Sequence, residues 1–232
     1  MICKMYFSTR RIIAFYGIDG SGKTTLATIL ADALRLRSYR TCIIRIRSHH
    51  TLMYAIVRLI LWLKGFDYNS LKNKPLHLNY IIRKYLGTER LYTILEILGV
   101  QVWFMLKLIT HAIMCLGHKS IIIADRYIPD FVVMLAFTSD IDNDRLIKLV
   151  WFFEKFARVK PLYFYIYVDP HLALNRKKDE YLTMSFCNYM VLKYQYINNF
   201  LHPIFIDTTN RRPIEIVADI LEELWKQHLL DR

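Results

Sequence analysis

The chain has no C-x-x-C pair, no internal repeat, and no low-complexity tract or linker. Its four cysteines, Cys3, Cys42, Cys115 and Cys187, are scattered through 232 residues. That spacing argues against a zinc knuckle or a disulfide scaffold and predicts free thiols in a reducing, cytoplasmic setting. The first residues, MICKMYFSTRR, lack a signal-peptide layout, because the first long apolar run reads as a strand. No apolar run of membrane length is uninterrupted. Residues 52–63 are too few to span a bilayer, and residues 91–117 are broken by Glu96, Gln101, Lys107 and His111. The second run reads as a buried or subunit-interface helix, so no membrane span is expected. Acid is scarce in one half only. Residues 1–118 hold 17 Lys+Arg against 5 Asp+Glu, whereas residues 119–232 hold 15 of each. The whole formal charge of +12 therefore lies in the first half. It reads either as a solvated basic surface or as a surface for a polyanion: a phosphorylated acceptor, a nucleic acid or a membrane face.

With 54% hydrophobic residues, a chain of this length can bury a full core as a single domain, 1–232. Short apolar runs suited to buried strands occur at RIIAFY (11–16), TCIIRI (41–46), SIIIAD (120–125), PLYFYIYVD (161–169) and PIFID (203–207). Helical patterns fill 50–64, much of 76–117, and the amphipathic stretches 142–158, 180–200 and 213–228. Strands alternating with helices predict an α/β domain built on a parallel sheet.

Between the first strand and the helix that follows it lies GIDGSGKTT, residues 17–25. Gly17 and Gly22, with four residues between them and followed by Lys23 and Thr24, match G-x-x-x-x-G-K-[ST]. Gly17, Asp19, Gly20, Ser21 and Gly22 would turn the backbone so that its N–H groups face a phosphate. Lys23 would reach the β- and γ-phosphates, Thr24 would ligate Mg²⁺, and Thr25 lies in the helix turn whose dipole favours the anion. Leu26, Leu30, Ala33 and Leu34 recur at helical spacing downstream, completing strand, loop and helix.

Other residues gather around that cradle. SIIIADRY puts Asp125 and Arg126 at the end of a buried strand, where open parallel sheets bind ligands. Asp125 could hold Mg²⁺ through water and Arg126 could fork onto a phosphate, or the two could form a structural ion pair. Arg176, Lys177 and Lys178 follow the fourth strand and read equally as a solvated face or as a basic lid, about residues 174–182. Arg45 and Arg47 share one side of the second strand and are candidates for an acceptor phosphate. His49 and His50 read as surface residues. IDTTNRRPIEIV ends a strand in a polar loop before a helix opened by Pro213, and that loop could wrap a purine base.

Taken in order, the GIDGSGKTT loop, the ADRY strand end, the NRKKDE segment after YVD and the IDTTNRRPIEIV tail resemble the thymidylate kinases, P-loop nucleoside monophosphate kinases. The resemblance spans about residues 11–228 and is weakest over 50–118, where the family's acceptor site is built. It implies a P-loop NTPase-type three-layer domain with a five-stranded parallel sheet, ATP and Mg²⁺ as cofactors, thymidylate as the default acceptor, and a homodimer through helices in 50–118. By that likeness Asp19 sits beside the acceptor or the metal, and Arg126 bridges donor and acceptor phosphates. Thr208 to Arg211, including Thr209 and Asn210, border the adenine. Lys23, Arg126, Asp125 and Arg176 would then carry catalysis. Two other readings stay open: a P-loop kinase for a different small acceptor, and a catalytically inactive nucleotide-binding protein whose basic half binds nucleic acid or a partner.

Overall fold

The computed structural model describes residues 12–45, 59, 62–63, 65, 120–139, 141–157, 161–177 and 182–230. Five strands form one parallel sheet in the order β2-β3-β1-β4-β5. They are β1 (Ile12–Tyr16), β2 (Arg40–Ile44), β3 (Ser120–Asp125), β4 (Leu162–Tyr167) and β5 (Ile204–Asp207). The helices are α1 (Lys23–Leu36), α2 (Ile128–Ser139), α3 (Asn143–Ala157), α4 (Pro170–Arg176), α5 (Met184–Leu201) and α6 (Pro213–Lys226). The fold class expected from the sequence is the one observed.

β1 is central, hydrogen-bonded to β3 on one side and β4 on the other, and all five of its residues are buried. A strand covered on both faces has no use for polar alternation, which is why IIAFY is apolar throughout. Its side chains divide between two cores. Ile13 and Phe15 pack with Leu26, Leu30 and Leu34 of α1 and Ile216, Ile220 and Leu224 of α6. Ile12, Ala14 and Tyr16 face α2, α3 and α5. The helix spacing i, i+4, i+8 in both α1 and α6 places one apolar stripe against the sheet.

Caps set several boundaries. The Asp169 carboxylate accepts from the N–H groups of His171 (2.9 Å) and Leu172 (3.3 Å), with Pro170 in the first turn, and so starts α4. Thr183 accepts from the Phe186 N–H at 3.2 Å and starts α5 at Met184, four residues after the position the sequence suggests.

Two features depart from expectation. α2 is absent from the sequence reading, because Val132, Val133, Leu135 and Ala136 are all buried, leaving IPDFVVMLAFTS with little polar periodicity to mark a helix. Cys42, on β2, is disulfide-bonded, which corrects the expectation of four free thiols, whereas Cys187 is free and buried. Among the described residues, no helix is long and apolar enough to cross a membrane. Most of the expected acceptor and dimer region 50–118, together with Arg47, His49, His50 and Lys178, lies outside the described residues.

Parallel pairing matters for function because every strand ends at the same edge. The register sets Phe15 opposite Asp125, and Tyr167 opposite Asp207, so the loops that follow β1, β3, β4 and β5 gather at one rim.

Candidate functional site

The loop after β1 lies flush against β4. A Cβ on Gly17 would fall 2.1 Å from the Ile166 carbonyl oxygen, and one on Gly20 would fall 2.7 Å from that of Ala173. Both glycines have positive φ, 149° and 87°, so neither position admits a side chain. Gly22, at φ 89°, turns the chain into α1, whose first turn has no side-chain cap and no acid. Its amides therefore face a cleft of about 510 Å³ lined by the loop, Arg126, Arg176, Lys177, Thr208 and Arg211. An uncapped helix start in such a setting favours an anion.

Lys23 is buried, and its Nζ donates to Gly17 O (2.7 Å), Ile18 O (2.7 Å) and Ser21 Oγ (3.2 Å). Burial pushes its pKa down, and the nearby Asp130 carboxylate is the strongest influence in the other direction. The ammonium thus lies curled under the loop, and among the described residues its direct partners are neutral oxygens.

On the cleft side, Asp19 receives Arg126 Nη2 and, at 2.9 Å, Lys177 Nζ. Burial works to raise the Asp19 pKa, but Arg126, Lys23 and Lys177 together hold its carboxyl well below the usual range. Arg126 has φ 77°, and its N–H donates to Phe15 O at 3.2 Å. This left-handed turn, uncommon for a non-glycine residue, ends β3 and carries the guanidinium toward Asp19.

Asp125 is fully buried. Its Oδ2 accepts from Thr24 Oγ1 and from Arg45 Nε, both at 2.8 Å, and Arg45 Nη2 also lies 3.0 Å from Thr24 Oγ1. Asp125 Oδ1 has no hydrogen-bond partner. A carboxylate and a hydroxyl in contact, with one buried carboxylate oxygen unused, are hard oxygen donors of the kind Mg²⁺ takes.

Behind the loop is a group that the sequence did not announce. The Gly17 N–H donates to Asp130 Oδ1 at 3.1 Å. The Tyr194 hydroxyl lies 2.5 Å from the same oxygen and 3.2 Å from Gly17 O. Tyr16 donates to Asn198 Oδ1 at 2.6 Å beside them. Asp130 stands five residues after Asp125 in DRYIPD, the only sequence hint of its place; Tyr194 comes from a helix 64 residues later and has none.

The far wall of the cleft joins α4 to the loop after β5. Arg176 Nη2 donates to Thr208 O at 3.1 Å, and the buried Thr208 hydroxyl donates to Tyr167 O (2.9 Å), with Ser21 O 3.1 Å away. Arg211 pairs with Asp219, and Pro213 and Ile216 add apolar surface. Thr208 and Arg211 line the cleft, while Thr209 turns back to accept from the Asp169 N–H at 3.1 Å and Asn210 takes φ 57° in the turn. The structure thus brings together the loop, Asp125, Arg126, Arg45, Arg176 and Lys177, with Arg176 directed at Thr208 rather than at the loop.

No family model matches the chain, and no curated protein matches it. Among solved structures it is similar to the thymidylate kinase from Candida albicans, at 17% identity and a TM-score of 0.60 over 95% of this chain and 93% of that one. That structure is described as revealing the origin of broad substrate specificity. The likeness is one of fold: the chain has a thymidylate kinase-like P-loop architecture, a five-stranded parallel sheet flanked by helices.

Proposed function

We propose that the protein is a nucleoside monophosphate kinase that moves the γ-phosphoryl group of ATP to a pyrimidine deoxynucleoside monophosphate, with thymidylate the first candidate. The observation that carries this reading is convergence on one cleft: uncapped α1 amides, Lys23, Arg126 and Lys177 all border it. A polyphosphate is the ligand such a set suits best.

In this reading an acceptor phosphate oxygen attacks the γ-phosphorus, the bond from that phosphorus to the β,γ-bridging oxygen breaks, and ADP leaves with the bond pair. The nucleophile is already anionic, so the protein contributes positioning and charge neutralisation rather than a strong base. Lys23 leaves Gly17 O and Ile18 O for the donor phosphates. Arg126, paired with Asp19, turns its planar fork to the oxygens of the moving group, while Lys177 is released to the same region. Thr24 and Asp125 would hold Mg²⁺, which neutralises charge on the phosphates when bound. Arg176, Thr208 and Ile216 frame the base end of the cleft. Arg45, one residue past β2, is the described candidate for the acceptor phosphate.

The test is ATP consumption with a panel of nucleoside monophosphates, thymidine serving as the unphosphorylated control. Stimulation by thymidylate, deoxyuridylate or deoxycytidylate but not by thymidine is expected. Equal use of thymidine removes the phosphate-reading assignment. No stimulation by any monophosphate, together with tight, salt-sensitive binding of single-stranded nucleic acid, replaces the kinase by a binding protein.

A further inference from the structure

Three aspartates lie against the phosphate loop, and they are not equivalent. Asp19 meets Arg126 and Lys177, and Asp125 meets Arg45. Among the described residues, Asp130 is bonded by the Gly17 N–H and the Tyr194 hydroxyl, both neutral, and its Oδ2 has no hydrogen-bond partner. Among the described residues, Lys23 meets only neutral oxygens, unlike Arg126, Lys177 and Arg45, which each meet an aspartate. Both of these buried groups grip the same residue: Asp130 takes the N–H of Gly17, and Lys23 takes its carbonyl. Gly17 therefore stands between a buried carboxyl group and a buried lysine.

A neutral side chain would do for hydrogen bonding alone. Asparagine or serine accepts from an N–H without the cost of burying a charge. The carboxylate has support for being ionised, since Asp130 lies in the first turn of α2 and its dipole favours an anion there. Burial pushes the Asp130 carboxyl up, and Lys23 and Arg126 are the main opposing influences.

We propose that Asp130 is a positioning residue of the phosphate loop: it anchors Gly17 from behind, and its charge restrains Lys23 so that the loop releases a bound nucleoside diphosphate. The proposal rests on the donor-site reading of the loop. Lys23 is held under the loop by Gly17 O and Ile18 O, on the residue that Asp130 anchors. A polyphosphate must pull Lys23 forward against that hold, which weakens binding of substrate and product alike. For a kinase limited by product release, such a restraint raises turnover at the expense of affinity.

The experiment is calorimetric ADP binding to the full chain, comparing the unaltered protein with Asp130→Asn and Tyr194→Phe. Asp130→Asn keeps the shape and the acceptor for Gly17 but removes the charge. ADP should bind it more tightly, by about tenfold. Tyr194→Phe keeps the charge and loses one hydrogen bond, so it should bind ADP no more tightly than the unaltered protein. A purely structural role for Asp130 predicts the reverse sign, weaker ADP binding in both variants. Unchanged or weakened affinity in folded Asp130→Asn overturns the proposal. If that variant does not fold, Asp130→Ser, neutral and with an acceptor oxygen, carries the same expectation. Failure of the unaltered protein to bind ADP removes the donor-site reading first, and is thereby told apart from failure of the restraint.

Discussion

The front and back of the glycine-rich loop are built by opposite means. At the front, Asp19 binds two cations directly at the wall of an open cleft, and the Lys177 side chain is 35% exposed. At the back, Asp130 and Tyr194 are buried, and backbone atoms of Gly17 stand between the carboxylate and Lys23. Front pairs can be exchanged for a ligand, because their members find water or phosphate when they part. The back cannot rearrange in this way without leaving polar groups unsatisfied in the core. A movable electrostatic face thus rests on a fixed one. Chemistry belongs to the first and geometry to the second.

The largest effect should come from the side chain that connects the two faces. Lys23→Ala should fold, because Gly17 and Ile18 lose a donor but water can reach the space the side chain vacates. ATP-dependent transfer should fall by about 10²–10³-fold or more, the scale expected when a preorganised charge on the reacting phosphates is lost. Steady-state kinetics on a variant with native circular dichroism would measure it, and near-normal turnover removes the donor-site assignment.

A steric change at the back should come next. Gly17→Ala puts a methyl group 2.1 Å from the Ile166 carbonyl, which has no freedom to move within β4. The loss of stability should be about 1–3 kcal/mol or more, with ADP affinity falling as the loop is pushed off the sheet. Gly22→Ala meets no neighbouring atom within 4 Å, although its φ of 89° is also unfavourable. It should cost less. Urea titration of both variants decides, and equal losses would mean that backbone conformation rather than contact with β4 governs Gly17.

At the front, Arg126→Lys keeps the charge but gives up the planar fork, so turnover should drop by about tenfold or more with little change in ATP affinity. Equal losses in both would point to simple donor binding. Arg45→Ala should raise the acceptor KM by about tenfold and leave ATP binding almost unchanged. A weaker ATP affinity with an unaltered acceptor KM would assign Arg45 to the Thr24–Asp125 pair alone.

The two faces also differ in how much of them can be read from sequence. The front is written in adjacent residues: glycine spacing marks the loop, and Asp125 and Arg126 close a run of β-branched residues. The back is assembled from distant ones. Tyr194 is one of 16 tyrosines, and nothing local distinguishes it from those that fill the core. α2, which carries Asp130, packs much of its surface in the core and so has little polar periodicity. Cys42 illustrates the same limit, since cysteine spacing reports a pairing only when the pattern is dense. The strands were legible because a buried parallel strand is apolar without interruption, whereas the start of α5 was placed four residues early because the Thr183 cap was not read.

The smallest expected effect sharpens the comparison through stability against pH. Asp19 has a folded pKa below its unfolded value of about 3.9. Its contribution is present above that value and is lost as pH falls toward the folded pKa. Asp19→Asn should therefore be less stable than the unaltered protein near neutrality, with the gap closing in acid. Asp130 has a folded pKa above its unfolded value. Ionising it in the fold carries a penalty that is absent in acid, appears as pH rises above about 3.9, and stops growing once the folded pKa is passed. Asp130 faces Gly17 and Lys23 of the loop and α1, Arg126 at the end of β3, Tyr194 of α5, and Tyr16 and Tyr165 of the sheet. Asp130→Asn should then match the unaltered protein in acid and exceed it near neutrality. Urea midpoints from about pH 2 to pH 7 should show Asp19→Asn falling below the unaltered protein and Asp130→Asn rising above it as pH rises. If Asp130→Asn instead loses stability as pH rises, the carboxylate is held by its partners as firmly as Asp19 is, and the back of the loop is an ion pair like the front.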